Sequence, residues 1–220
     1  MMLIISMRAF MRFLLTFLLC FVLLPVQAAD NLKAGTDYLE LQPPQPVRVP
    51  ADKIEVVEFF NYSCPHCYRL QGHLAKWRAK HMRDDVVLVQ QPLAFTRYNG
   101  HYARAHYTLQ GLELIETLSS QIYNAIHAER KLINSKGRFL DWLAEEHDVD
   151  RERAEKMYDS FTVRSRATRA ETIAGDYGVN STPQLSVNGK YVINPGLSGS
   201  YEKLMDTLTT LVERERQARQ

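Results

Sequence analysis

Two cysteines with only two residues between them lie in the stretch EFFNYSCPHCYRL, residues 58–70. Thiols at this spacing, Cys64 and Cys67, can share a metal ion, staple a loop or exchange electrons. A structural zinc site needs four ligands. Two thiolates and His66 cannot all turn inward from one helix start, and the chain has no second cysteine pair, so zinc would need a dimer. A static bridge would close a loop of four residues, which barely constrains the unfolded chain. Electron exchange gives the spacing a purpose, and Cys-x-x-Cys beside a strand–helix–strand pattern is a redox signature.

The chemistry follows from position. Pro65 suits the first position of a helix, so the Cys64 sulfur sits where an N-cap side chain sits. Unpaired backbone N–H groups point at it, and the helix dipole places partial positive charge there. His66, when protonated, adds a cation. Both effects favour thiolate over thiol and lower the pKa of Cys64. A stabilised thiolate stabilises the reduced protein, which makes the disulfide the form ready to be handed on. Cys67, one turn inside the helix, is expected to be buried and to resolve a mixed disulfide in the reverse direction. Glu58 stands in an otherwise apolar run just before the cysteines. It reads either as a carboxyl that shuttles protons to Cys67 or as a partly exposed acid paired with Lys53 or Lys190.

The flanking sequence must position these groups. KIEVVEFF (53–60) is a nearly continuous apolar run rich in β-branched residues, which predicts a buried central strand. A helix from Pro65 to about Lys80 follows, with Leu70, Leu74 and Trp77 on one face, and then DVVLVQQPL (85–93) as a second buried strand. Tyr38 to Leu41 is a candidate edge strand before a proline-rich connector. Residues 97–177 carry no strand signal and repeated helical periodicity, a helical insertion. The β pattern returns at TPQLSVNGKYVINPG (182–196), where Asn-Gly between alternating residues signals a hairpin. A last helix over about 199–217 has Leu204, Leu208 and Leu211 on one face. The order β–α–β, helical block, β–β–α predicts an α/β, thioredoxin-like fold with an inserted α-helical domain. The six histidines outside the motif (73, 81, 101, 106, 127 and 147) read as surface residues, and Tyr98, Tyr102 and Tyr107 as core.

The chain has 220 residues, 45% hydrophobic and 24% charged, enough for a domain with a real core. Arg8 and Arg12, the apolar run from Phe13 to Leu24 and the segment PVQAAD read as a secretory signal peptide over 1–28, cleaved after Ala28, with Met7 as a possible true start. Cys20 leaves with it. Removal of the two arginines leaves 25 basic against 25 acidic residues. No basic stripe interleaved with aromatics remains, so nucleic acid is not an expected partner. Export places Cys64 and Cys67 where disulfides persist.

Taken together, VVEFFNYSCPHCYRL, STPQLSVNGKYVINP and the helical insertion resemble the periplasmic thiol:disulfide oxidases of the DsbA family. The resemblance spans almost the whole mature chain. It implies a thioredoxin-like domain over 29–96 and 178–220, interrupted by helices over 97–177. It also implies donation of a Cys64–Cys67 disulfide to exported proteins with free thiols, no cofactor, and re-oxidation by a DsbB-type membrane quinone reductase. Under it, Thr182–Pro183 is a cis peptide facing the cysteines, and Thr182, Pro183 and His66 meet an extended substrate. Gln71 departs from the pattern, since members often carry an acid there, and so do Asn61 and Ser63; these departures bear on redox potential and substrate preference. Alternatives are an isomerase or reductase of the same fold, a non-catalytic chaperone and a metal-binding module. Residues 29–52 are too short for an added dimerisation region, which favours a monomer.

Overall fold

β-Branched and aromatic residues run almost without break from Ile54 to Phe60, and the chain answers with a seven-residue strand buried at every position. The computed structural model describes residues 31–93 and 100–219. The signal-peptide reading, Arg8, Arg12 and Cys20 with it, lies outside the described residues, as does Tyr98. The strands are β1 (Leu39–Glu40), β2 (Ile54–Phe60), β3 (Val86–Pro92), β4 (Gln184–Val187) and β5 (Tyr191–Ile193), in the sheet order β1-β5-β4-β2-β3. β2 pairs parallel with β3 and antiparallel with β4. Parallel neighbours need a crossover, which is α1 (Pro65–His81).

β3 differs from expectation. It is an edge strand, half-buried over Val87–Gln90 rather than fully enclosed. The pairing order explains this, because β3 ends the sheet; its Gln90 side chain meets Glu58, and its buried Gln91 meets Arg48 and Tyr107.

Among the described residues between β3 and β4 lie five helices: α2 (Gly100–Gly111), α3 (Ile115–His127), α4 (Lys136–His147), α5 (Arg151–Tyr158) and α6 (Phe161–Asp176). A short α7 (Pro195–Ser198), not foreseen in the sequence, precedes α8 (Tyr201–Gln217). One apolar cluster joins Leu70, Leu74 and Trp77 of α1 to Leu204, Leu208 and Leu211 of α8 across Val56. The opposite sheet face packs Val57 and Phe59 on Tyr177. A third cluster fills the helical block and includes Phe60, Tyr62 and Cys67. The buried thiol thus belongs to the core that the inserted helices create.

The hairpin turn forms as its sequence predicts. Asn188 and Gly189 both have positive φ (53° and 66°), and the Lys190 N–H donates to the Val187 carbonyl at 3.0 Å. Gly189 is also required by space, since a Cβ there would lie 2.1 Å from the Gln45 carbonyl oxygen.

The histidines outside the motif are not surface residues. His106 is only 2% exposed, and the other five are half-buried. An imidazole is a flat ring with a polar rim, and these rings lie against aromatics: His127 on Tyr68, His73 on Tyr201, His147 on Trp142 and His106 on Phe60.

Candidate active site: a cysteine pair at a helix start

Asn61 sets the loop that delivers Cys64. Its Oδ1 accepts from the Ser63 N–H (2.8 Å) and the Ser63 hydroxyl (2.7 Å), while its amide donates to the Leu93 carbonyl at 2.7 Å. Its own carbonyl accepts the Cys64 N–H at 3.0 Å. This is the self-bonding turn that asparagine favours, here anchored to the end of β3. Cys64 follows in extended geometry as the N-cap of α1, with Pro65 in the first turn.

The Cys64 sulfur takes the N-cap role. It accepts the Cys67 backbone N–H at 3.4 Å. No acidic residue stands in the first turn of α1 to compete for the helix end. A hydrogen bond from the Cys67 thiol is the largest influence on Cys64. With help from the Thr182 side chain and the backbone N–H groups of Cys67 and His66, it overcomes partial burial and brings Cys64 down to about 5. Burial acts the other way on Cys67, which is 0% exposed, and pushes its thiol far above the ordinary range; the hydrogen bond to Cys64 adds to this. Both are free thiols here. The two sulfurs of one motif are therefore opposites: a half-buried thiolate and an enclosed thiol.

Cys64 Sγ also lies 3.4 Å from the Thr182 carbonyl oxygen, a contact only the protonated thiol uses as a hydrogen bond. Thr182–Pro183 is a cis peptide, and Pro183 enters β4 beside the motif. His66 is exposed and held at both ends. Arg69 Nη2 lies 2.9 Å from its Nδ1, and the Tyr201 hydroxyl donates to its carbonyl at 3.2 Å. Arg69 thus brings a guanidinium cation beside the motif, against the His66 ring.

Glu58 is 0% exposed, and its partners are not lysines. Gln71 donates to one carboxyl oxygen at 2.7 Å and Gln90 to the other at 3.0 Å. Lys53 bonds the Asp84 carbonyl, and Lys190 bonds Glu215. Burial raises the Glu58 pKa against the pull of the two amides and the more distant Arg78. The reading of a partly exposed acid on Lys53 or Lys190 is thus replaced by a fully enclosed acid on two amides.

Cys64, Pro65, His66, Cys67 and Thr182–Pro183 meet at the start of α1, and Glu58 connects to that helix through Gln71. Sequence reasoning missed Asn61, Gln90 and Arg69 as working residues. Asn61-x-Ser63 carried a turn signal that pointed to the first. Gln90 and Arg69 carry no local signal, because their partners lie across the sheet or on the next turn. Among the described residues no group of three or more His, Cys, Asp or Glu could hold a metal ion.

Comparison with known proteins finds matches over most of the chain. A family model described as a DSBA-like thioredoxin domain matches residues 55–208. The thiol:disulfide interchange protein DsbA of Bordetella parapertussis is 37% identical over 172 residues, which cover 78% of this chain and 80% of that protein. Its namesake from Pseudomonas aeruginosa strain PAO1 is 34% identical over 190 residues, covering 86% and 89%. The crystal structure of Pseudomonas aeruginosa DsbA matches with a TM-score of 0.80 at 34% identity, covering 86% of this chain and 97% of that one.

Proposed function

Because the chain belongs to the DsbA family of thiol:disulfide interchange proteins, a thioredoxin-fold oxidoreductase acting on substrate thiols, we propose that its Cys64–Cys67 disulfide is donated to exported proteins as they fold. The observation that carries this direction is the contrast between the two sulfurs, one lowered to about 5 and the other raised by burial. A substrate thiolate attacks Cys64 Sγ. The Cys64–Cys67 bond breaks, a mixed disulfide forms, and Cys67 leaves as a thiolate that takes up a proton at once. A second substrate thiolate attacks its neighbouring sulfur and releases Cys64 as the stabilised thiolate. The electron pair ends on the protein, and the substrate gains the disulfide.

In this reading Thr182 and Pro183 flank the bound substrate, His66 lies at its edge, and Glu58 is the internal proton donor to Cys67. The working protein is a monomer in the periplasm, exported by residues 1–28 and re-oxidised by a DsbB-type membrane quinone reductase. Its thioredoxin-like halves are 29–96 and 178–220, around the insertion 97–177. None of the helices in the described residues is long and apolar enough to cross a membrane.

The test is trapping. Cys67→Ala should accumulate mixed disulfides with exported proteins on non-reducing gels, and Cys64→Ala should not. Equal trapping by both variants would remove the division of roles.

A further inference from the structure

Two half-buried amides hold a fully buried acid. Gln71 comes from α1 and Gln90 from edge strand β3, and each donates to one oxygen of Glu58. The Gln71 amide also lies 3.5 Å from the Cys67 carbonyl, so one side chain links the acid to the backbone of the buried cysteine. Of the charged and titratable groups around Glu58, Arg78 on the same helix acts from a distance. Tyr62 and Tyr123 are buried neutral phenols that sense its charge, and the Gln71 amide is its link to the Cys67 backbone. No lysine or arginine is hydrogen-bonded to it among the described residues.

The choice of amides has a chemical consequence. A carboxylate needs donors, whereas a carboxylic acid needs an acceptor for its O–H. Lysine and arginine only donate, so they lock a buried acid in its ionised form. A glutamine presents N–H₂ to the carboxylate and, after rotating its terminal amide, C=O to the acid. Both protonation states are then satisfied, and neither strands a buried polar group. Gln71 also lines a groove between α1 and the inserted helices, with Tyr68, Gly72, Tyr123 and Asn124, so its outer side meets water while its inner side meets Glu58.

We propose that Gln71 and Gln90 form an amide clamp that lets Glu58 give up its proton and regain it without leaving the core. This rests on the reading of Glu58 as proton donor to Cys67. As the Cys64–Cys67 bond opens, Cys67 Sγ takes the Glu58 proton, both amides turn N–H₂ toward the new carboxylate, and water at the groove returns a proton afterwards. Gln71 and Gln90 are positioning residues; they touch neither sulfur.

The experiment follows the opening of the Cys64–Cys67 disulfide by a single-cysteine peptide, with rapid acid quench and mass analysis across pH. It also follows the Glu58 carboxyl in the reduced protein by ¹³C NMR. Gln71→Met and Gln90→Met remove a donor and keep the length, so the Glu58 titration and the matching inflection in the opening rate should move up by about one pH unit. Gln71→Lys supplies a fixed cation, so both should move down. Opposite signs from two substitutions at one position are not produced by loosened packing. If all three variants titrate like the parent while Glu58→Gln still erases the inflection, the clamp is wrong and the donor role stands. If Glu58→Gln leaves the inflection in place, the donor role fails and takes the clamp with it.

Discussion

At the scale of single residues the chemistry rests on a division of labour between two sulfurs. Cys64 is lowered to about 5 chiefly by the Cys67 thiol, whereas an ordinary cysteine titrates near ~8.5. Thiolate absorbance near 240 nm in the reduced protein should therefore show a midpoint close to 5, and Cys64→Ser should abolish that transition; a midpoint at or above 8 would contradict the site geometry. The sign of the linked stability is fixed. A depressed folded-state pKa stabilises the reduced protein fully above the unfolded value, and the contribution fades as pH falls through about 5. The cysteine spacing, Pro65 and the helix start were legible in the sequence because N-cap chemistry is local. The contact between His66 and Arg69 was not, because the two become neighbours only once α1 has formed.

Elements place these residues, and two glycines show how differently an element can use the same residue. Gly72 lies inside α1, and a Cβ there would meet nothing within 4 Å. Gly72→Ala should stabilise the protein by about 0.5–1 kcal/mol in chemical denaturation, with disulfide exchange retained. Gly189 has φ of +66° and no room beside the Gln45 carbonyl. Gly189→Ala should lower stability by about 1–3 kcal/mol and loosen the connector that bonds over the hairpin through Gln45. Strand and helix positions were readable to within one or two residues where the pattern is strong, as in the continuous apolar run of β2 and the helical spacing of α1. What escaped was context. β3 is as apolar as a central strand in Val86–Val89, and only the pairing order places it at the sheet edge. Of the two readings of Glu58, the lysine-paired one failed because its amide partners come from a neighbouring strand and the following helix. α7 is one turn long and leaves no periodicity to read.

For the whole molecule, the inserted helices and the thioredoxin-like sheet share one consequence, since the core built by the insertion is what encloses Cys67. The order of elements made that architecture legible, while the burial of His106 and Tyr123 within it appeared only on folding, since a histidine or tyrosine at helical spacing reads equally well as surface. Because the thiolate exists only after reduction, the reduced protein should melt above the oxidised one at pH 7. The difference should be about 1–2 kcal/mol once solvent screening of the half-buried Cys64 is allowed for, and it should shrink toward pH 5 in parallel calorimetric scans. An oxidised form that melts higher at neutral pH would point to a structural bridge or a reductase. The most direct measurement is the redox equilibrium of the full chain against glutathione buffers at pH 7, read by thiol alkylation and mass. A disulfide donor built on a stabilised Cys64 thiolate should have a midpoint more oxidising than about −180 mV, the value of a protein disulfide isomerase; a midpoint near −270 mV, about that of thioredoxin, would contradict the donor role.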